Sequence, residues 1–214
     1  MINIKTFTCN MLQENCYVVS DETGECIIID CGAFYEEERK AIVEYIRTNN
    51  LRPKHLLATH GHLDHNFGNN TIDEAFGLRV ELSERDQSLI DHADQQAKQF
   101  YGEPLKQSLP PTGTHLSEGT PVTFGSHTLQ VLSTPGHSRG SVTLYCQAEN
   151  VAFTGDTLFK HSIGRTDFVG GNMFQIIQSL RMLAQLPDET IALPGHGERT
   201  TIGDELAHNP YMDR

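Results

Sequence analysis

Ile2, Ile4, Thr6 and Thr8 alternate with their neighbours at a period of two, which predicts an opening β-strand. Residues 16–20 and 26–30 continue as β-rich runs, separated by the turn sequence Asp21-Glu22-Thr23-Gly24. The period then changes. Ile42, Val43, Tyr45 and Ile46 gather on one face of a helix predicted over residues 36–50, and acidic residues crowd its first turn, where the helix dipole favours them. Pro53 is expected to close that helix. Residues 55–59 read as a short apolar strand that delivers the chain into Thr59-His60-Gly61-His62-Leu63-Asp64-His65.

The middle of the chain reads as helical and polar. Ser83 with Asp86 forms an N-cap pair, and Leu89, Ile90 and Ala93 supply the apolar stripe. Residues 101–114, rich in Pro and Gly, read as a loop, either a lid or a plain surface connection. Strands resume at residues 121–124, 127–132, 141–146 and 151–154. Asn172 caps a last long helix with Gln175 at the reciprocal position, and Ile176, Ile177, Leu180, Leu183 and Ala184 face inward. A final strand over residues 190–193 ends at Pro194-Gly195-His196. Strands, helix and strand recur in each half without a short sequence repeat. This order predicts an α+β protein with two sheets face to face and helices outside, a four-layer αβ/βα sandwich. At 214 residues, one domain over residues 1–214 is expected.

Composition narrows the partners. Sixteen Lys and Arg against 28 Asp and Glu leave a net charge of -12, which repels nucleic acid and anionic membrane surfaces. A small-molecule substrate is expected instead. No apolar run approaches the roughly 20 residues that span a bilayer, and the N-terminus lacks the basic and apolar regions of a secretory signal. Cys9, Cys16, Cys26, Cys31 and Cys146 are odd in number and include no C-x-x-C pair. Neither a disulfide framework nor a thiolate zinc site follows, and reduced thiols in the cytoplasm fit best. Cys31 reads as a small buried filler, since no basic neighbour in the sequence would activate it.

The chemistry is concentrated in a few residues. His60, His62, Asp64 and His65 fall within one Gly-containing loop at a strand end, and three imidazoles with a carboxylate are the donor set of zinc, iron or manganese. Gly61 lets the backbone turn so that alternate side chains converge. His137, Asp156 and His196 each follow a β-rich run and each lies beside a glycine, in Pro135-Gly136-His137, Thr154-Gly155-Asp156 and Pro194-Gly195-His196. Ligands at several strand ends on one edge of a sandwich would form one rigid site.

The order T-H-G-H-L-D-H, P-G-H, T-G-D-T and P-G-H-G resembles the metallo-β-lactamase superfamily over nearly the whole chain. The resemblance assigns His60, His62 and His137 to one metal and Asp64, His65 and His196 to a second, with Asp156 bridging. Within that superfamily, Gly155-Asp156-Thr157-Leu158-Phe159 and Gly164-Arg165 look like glyoxalase II, the hydroxyacylglutathione hydrolases, and particularly their short bacterial relatives. The implied activity is hydrolysis of glutathione-type thioesters. Two divalent ions, zinc first, with iron or manganese as alternatives, would share a hydroxide whose pKa coordination lowers to about 7. That hydroxide would attack the carbonyl. Asp64 would ligate and hold the attacking water, and Asp156 would fix the spacing of the ions. Glyoxalase II carries a further C-terminal helical domain with glutathione contacts. This sequence ends soon after His196, so those contacts are not expected.

Arg165 falls where glyoxalase II has a basic residue touching the glutathione glycine carboxylate; alternatively it anchors its own loop through Asp167. His161, between Asp156 and Arg165, is a second candidate to line the substrate pocket. His55, His92, His115, His127 and His208 read as solvent-facing or packing residues. Gly136-His137-Ser138-Arg139-Gly140 matches G-x-S-x-G, but that elbow needs a strand, a sharp turn and a helix. Here Pro135 precedes it and the β-like residues 141–145 follow it, so Ser138 is not expected to be a nucleophile. Two other function classes compete. Gly164-Arg165-Thr166-Asp167-Phe168 also resembles the persulfide dioxygenases of the same superfamily, whose single iron would fall on His62, His137 and Asp156, and lactone hydrolysis is a further hydrolytic alternative. A non-catalytic binding protein has no need of the complete donor set.

Overall fold

The computed structural model describes residues 1–213. β1 (Asn3–Cys9), β2 (Glu14–Ser20) and β3 (Glu25–Ile29) form an antiparallel meander. α1 (Glu36–Thr48) crosses over to β4 (Arg52–Leu57), which lies parallel to β3. α2 (Asn69–Phe76) leads to β5 (Val80–Ser83), and α3 (Gln87–Asp91) and α4 (Ala93–Tyr101) lead to β6 (His115–Leu116), again in parallel. These strands make a six-stranded sheet in sequence order.

The second half builds a second sheet. β7 (Val122–Phe124), β8 (His127–Ser133), β9 (Val142–Cys146) and β10 (Val151–Gly155) run antiparallel. A small hairpin of β11 (Leu158–Phe159) and β12 (Ser162–Ile163) follows. α5 (Met173–Leu183) then crosses to β13 (Ile191–Pro194), parallel to β10, and β14 (Thr200–Thr201) and α6 (Ile202–His208) complete the chain. The second sheet has six strands in the order β14-β13-β10-β9-β8-β7.

The pattern of burial shows why these layers stack. β2 is buried on both faces, as a strand between a sheet and helices must be. Val19, Ile27, Ile29 and Leu57 meet Phe124, Leu129, Leu144 and Phe153 between the sheets, and Tyr17 packs edge-on against Phe153 with ring centroids 5.2 Å apart. On the outer face of the first sheet, Val18, Ile28 and Leu56 pack on Ile42 and Ile46 of α1 and Ile72 of α2. Leu180 and Leu183 of α5 and Ile202 of α6 cover Ala192 on the second sheet. This is the expected four-layer sandwich.

Several boundaries differ from the sequence reading. Pro53 does not close α1; it lies inside β4, opposite Cys26 at an irregularity in the register. The helix is closed by Asn49 and by Asn50, which takes a left-handed φ of 53°. The polar middle helix breaks at His92 into α3 and α4. Ser83 caps only a single 3-10 turn, through the Arg85 amide, and Asp86 points inward instead of pairing with it. α2, β5 and α6 are too short to show a clear period.

His127, expected to be a surface or packing residue, joins the two sheets. Its Nδ1 lies 3.0 Å from Asp21 at the β2–β3 turn, and its Nε2 lies 2.9 Å from Glu149. Burial works against a charge on this ring. The hydrogen bonds to Asp21 and Glu149 outweigh it, so the pKa lies above the ordinary 6.5. A raised folded-state pKa gives stability that is complete below the unfolded value and is lost as pH rises through the folded one. His127→Gln should therefore lower Tm by roughly 4–8 °C at pH 6, the effect of about 2 kcal/mol on a chain of this size. The deficit should shrink at pH 9. Equal deficits in thermal melts at both pH values would assign the effect to ring packing on Phe124.

Candidate metal centre

The candidate donors leave the ends of strands. β4 is followed by the loop with His60, His62, Asp64 and His65; His137 lies between β8 and β9; Asp156 follows β10 and His196 follows β13. The loops are locked by two buried carboxylates. Asp30, at the end of β3, accepts the Thr59 amide and hydroxyl, both at 2.7 Å. Asp86 accepts the Gly61 amide at 3.0 Å, the Gly140 amide at 2.7 Å and the Ser138 hydroxyl at 2.6 Å. One side chain thus ties the His60–His62 turn to the His137 turn.

All seven predicted donors come together. His60, His62 and His137 form one group with donor atoms within 4.8 Å of one another, and Asp64, His65 and His196 form a second. His62 Nδ1 lies 2.8 Å from His137 Nε2. Asp64 Oδ2 lies 3.2 Å from His196 Nε2 and 3.7 Å from His65 Nε2. Asp156 stands between the groups: its Oδ2 lies 3.5 Å from His137 Nε2 and 3.7 Å from His196 Nε2. Its Oδ1 lies 3.4 Å from His65 Nε2. Donors around a tetrahedral ion bound at 2.0–2.1 Å are about 3.3 Å apart, so these spacings suit two ions with little movement.

The outward ring nitrogens are fixed by other partners. His137 Nδ1 donates to the Arg165 carbonyl at 2.8 Å, and His196 Nδ1 donates to the Leu12 carbonyl at 3.0 Å, which turns each Nε2 toward the centre. His65 Nδ1 faces Asp30 Oδ2 at 3.1 Å. Gly195 is needed for closeness: a Cβ there would run into Asp156 Oδ1 and His65 Cε1.

The protein groups alone leave this centre unsatisfied. His60 Nε2, His65 Nε2 and Asp156 Oδ1 are buried with no hydrogen-bond partner, a state that ordinarily costs about 1–3 kcal/mol per group. Burial and the neighbouring rings push His60 well below the ordinary histidine range. Burial and His137 bring His62 down to about 4. His65 moves the opposite way, because Asp156, Asp64 and Asp30 outweigh its burial. The two low-pKa rings are thus kept as free bases, and at His65 a divalent cation would replace the proton that now balances the carboxylates. The donor set fits metal ions.

The centre opens into a cleft of about 670 Å³. Its walls are mainly apolar, with Leu63, Phe100, Tyr101, Phe159, Ile163 and Phe168 prominent. Phe100 and Tyr101 end α4, so the helix before the 102–114 loop roofs the cleft. Arg165 reaches this cleft, but its guanidinium is held in two hydrogen bonds of 2.7 Å by Asp167 and lies 4.0 Å over the Phe168 ring. His161 does not line the cleft. Its Nε2 turns outward to Asp204 at 2.8 Å, because the backbone takes a left-handed φ of 57° and its amide is held by Glu205. Ser138 is buried against Asp86, without the strand–turn–helix elbow.

Sequence reasoning missed the supporting carboxylates. Asp86 looked like a capping residue, and Asp30 carried no motif beyond its place before Cys31. Glu14 is fully buried beside His65 and Asp30, and burial pushes its carboxyl well above the usual carboxylate range. Nothing in its local sequence marks it.

The sequence profile of the metallo-β-lactamase superfamily matches residues 9–196. The chain belongs to this superfamily. It is 35% identical to the hydroxyacylglutathione hydrolase GloC of Haemophilus influenzae, with 99% of each chain covered. Its backbone superposes on the B3 metallo-β-lactamase BLEG-1 with a TM-score of 0.89, at 34% identity and 99% coverage of both chains. TTHA1623 in a di-iron-bound form gives a TM-score of 0.85 at 36% identity, covering 97% of this chain and 100% of that one.

Asp86→Ala tests the clamp. Two buried amides would lose their acceptor at a combined cost of roughly 3 kcal/mol, or about 6–12 °C in Tm. Metal content after dialysis should fall with it, since both histidine turns are released. Unchanged melting and unchanged metal content by elemental analysis would show that the loops hold themselves.

Proposed function

We propose that the chain is a metal-dependent thioester hydrolase of the hydroxyacylglutathione type. The observation that carries this reading is Asp156 Oδ2 facing both imidazole groups at the floor of an apolar-walled cleft. The full-length similarity to GloC supports the substrate class. His60, His62 and His137 would hold one divalent ion and Asp64, His65 and His196 another, with Asp156 between them. Such ions supply Lewis acidity toward a carbonyl oxygen and an activated water at neutral pH.

The chain's own groups then have distinct tasks. Asp64, at the mouth of the centre and held below the usual carboxylate range by His65 and His196 against its burial, stays ionised to ligate and to orient the attacking water. Burial and the nearby Asp64 charge raise the Tyr101 phenol, so it stays a hydrogen-bond donor on the cleft wall. Phe100, Phe159 and Phe168 shield the reacting carbonyl from bulk water. Arg165, engaged by Asp167 and Phe168, holds the loop that carries Phe168 and whose carbonyl orients His137.

Chelator-stripped protein should lose thiol release from S-lactoylglutathione and regain it with zinc, iron or manganese. Oxygen uptake on glutathione persulfide by a one-iron protein, without thioester hydrolysis, would replace this reading with the dioxygenase one. Asp64→Asn should keep the fold and lower turnover by roughly a hundredfold or more; near-normal turnover on a good thioester would remove Asp64 from its role.

Arg165→Ala should slow S-lactoylglutathione and a short thioester without the glycine carboxylate by similar factors. Each factor should be about fivefold or less, because the Arg165–Asp167 pair is largely exposed to solvent. A rise in KM confined to the glutathione thioester would assign Arg165 to the substrate carboxylate instead.

A further inference from the structure

The turn between β11 and β12 breaks the usual turn chemistry. His161 takes a φ of 57°, a left-handed conformation in which glycine or asparagine is the ordinary choice. A histidine pays for that position in strain, and such exceptions gather where a side chain is wanted for its chemistry. The strain is held in place by the His161 amide, which donates to Glu205 Oε2 at 2.9 Å. Its ring is thereby aimed at α6 and away from the cleft.

On α6 it meets two further donors. His161 Nε2 lies 2.8 Å from Asp204 Oδ2, and His208 Nδ1 lies 3.0 Å from the Asp204 carbonyl and 3.1 Å from Asp204 Oδ1. The two rings have centroids 5.3 Å apart, and the three donor atoms lie within 4.8 Å of one another. The neighbouring cation is turned away: Lys160 pairs with Glu198 at 2.6 Å. Buried Glu205 lies behind them, with Oε1 4.0 Å from His161 Nε2.

We propose that His161, Asp204 and His208 form a separate transition-metal site, distinct from the buried donor set. Two imidazoles and one carboxylate suit zinc, copper(II) or nickel, and rule against the all-oxygen preferences of calcium and magnesium. Zinc bound at about 2.0–2.1 Å needs donors about 3.3 Å apart, within reach of three donor atoms that already lie within 4.8 Å of one another. The side chains are 43%, 39% and 60% exposed for His161, Asp204 and His208, so water can complete the coordination. The ion would displace the ring protons that now bond to Asp204. It would fasten the tip of the β11–β12 hairpin to α6, and Phe159 and Ile163 on that hairpin wall the cleft. The site is independent of the reaction at the buried centre.

The test is a zinc titration of the full chain at pH 7.5, first filled at the buried centre and then followed by equilibrium dialysis and by histidine ring NMR signals. Wild type should take up one further zinc equivalent, and the His161 and His208 ring signals should shift together. His208→Ala and Asp204→Asn should each lose that equivalent while retaining the metal of the buried centre. Equal saturation of wild type and both variants, or ring signals of His161 and His208 that do not respond to zinc, would overturn the proposal and leave the trio as a hydrogen-bonded cluster. The ring signals are read on wild type, so they decide the matter even where a variant folds poorly.

Discussion

Imidazoles and carboxylates from opposite halves of the chain meet where buried carboxylates hold their loops against one another. Asp86 comes from the first half and accepts from Gly61 of the same half and from Ser138 and Gly140 of the second. Asp30 locks Thr59 and faces the back of His65. These hydrogen bonds lie at buried positions where water does not compete, and a donor left without its acceptor there costs its full desolvation. Backbone amides are a good choice of partner, because they cannot swing away as side chains can. The rest of the sandwich acts as a frame that brings the strand ends within reach of these clamps.

The same logic explains the inward tension at the centre. Ring nitrogens that face carbonyls on their outer side have only one way to point their lone pairs. Convergence of several polar atoms on one small volume is unfavourable for the protein alone, as the unpartnered atoms of His60, His65 and Asp156 show. Folding free energy from the two sheets' packing therefore offsets the cost of preorganisation, and a bound cation would recover it.

Much of this could be read along the chain. The layers followed from alternating and helical periods, and the donors from histidine and aspartate beside glycine at strand ends. Short elements such as α2 and α6 escaped because a helix of one or two turns shows too little period. Asp86 was misread because an aspartate three residues after a serine has the spacing of a cap; only the tertiary structure shows its oxygens turned to Gly61 and Gly140. His161 was misplaced for a related reason. Its position in the chain lies between two residues of the site, but a left-handed backbone turns its side chain to the opposite side of the hairpin.

The position of Asp156 has a thermodynamic consequence. One of its oxygens faces His137 of one donor group and His196 of the other, so two ions bound there would not load independently. Any change that the first ion makes in affinity for the second must be returned by the same factor when the order is reversed. Occupancy is then a coupled equilibrium with macroscopic constants that belong to the pair. In a cell where one metal is abundant and another scarce, occupancy of one half by the abundant metal would shift the affinity of the other half, and the composition of the centre would follow the balance of metals and not each half's own preference.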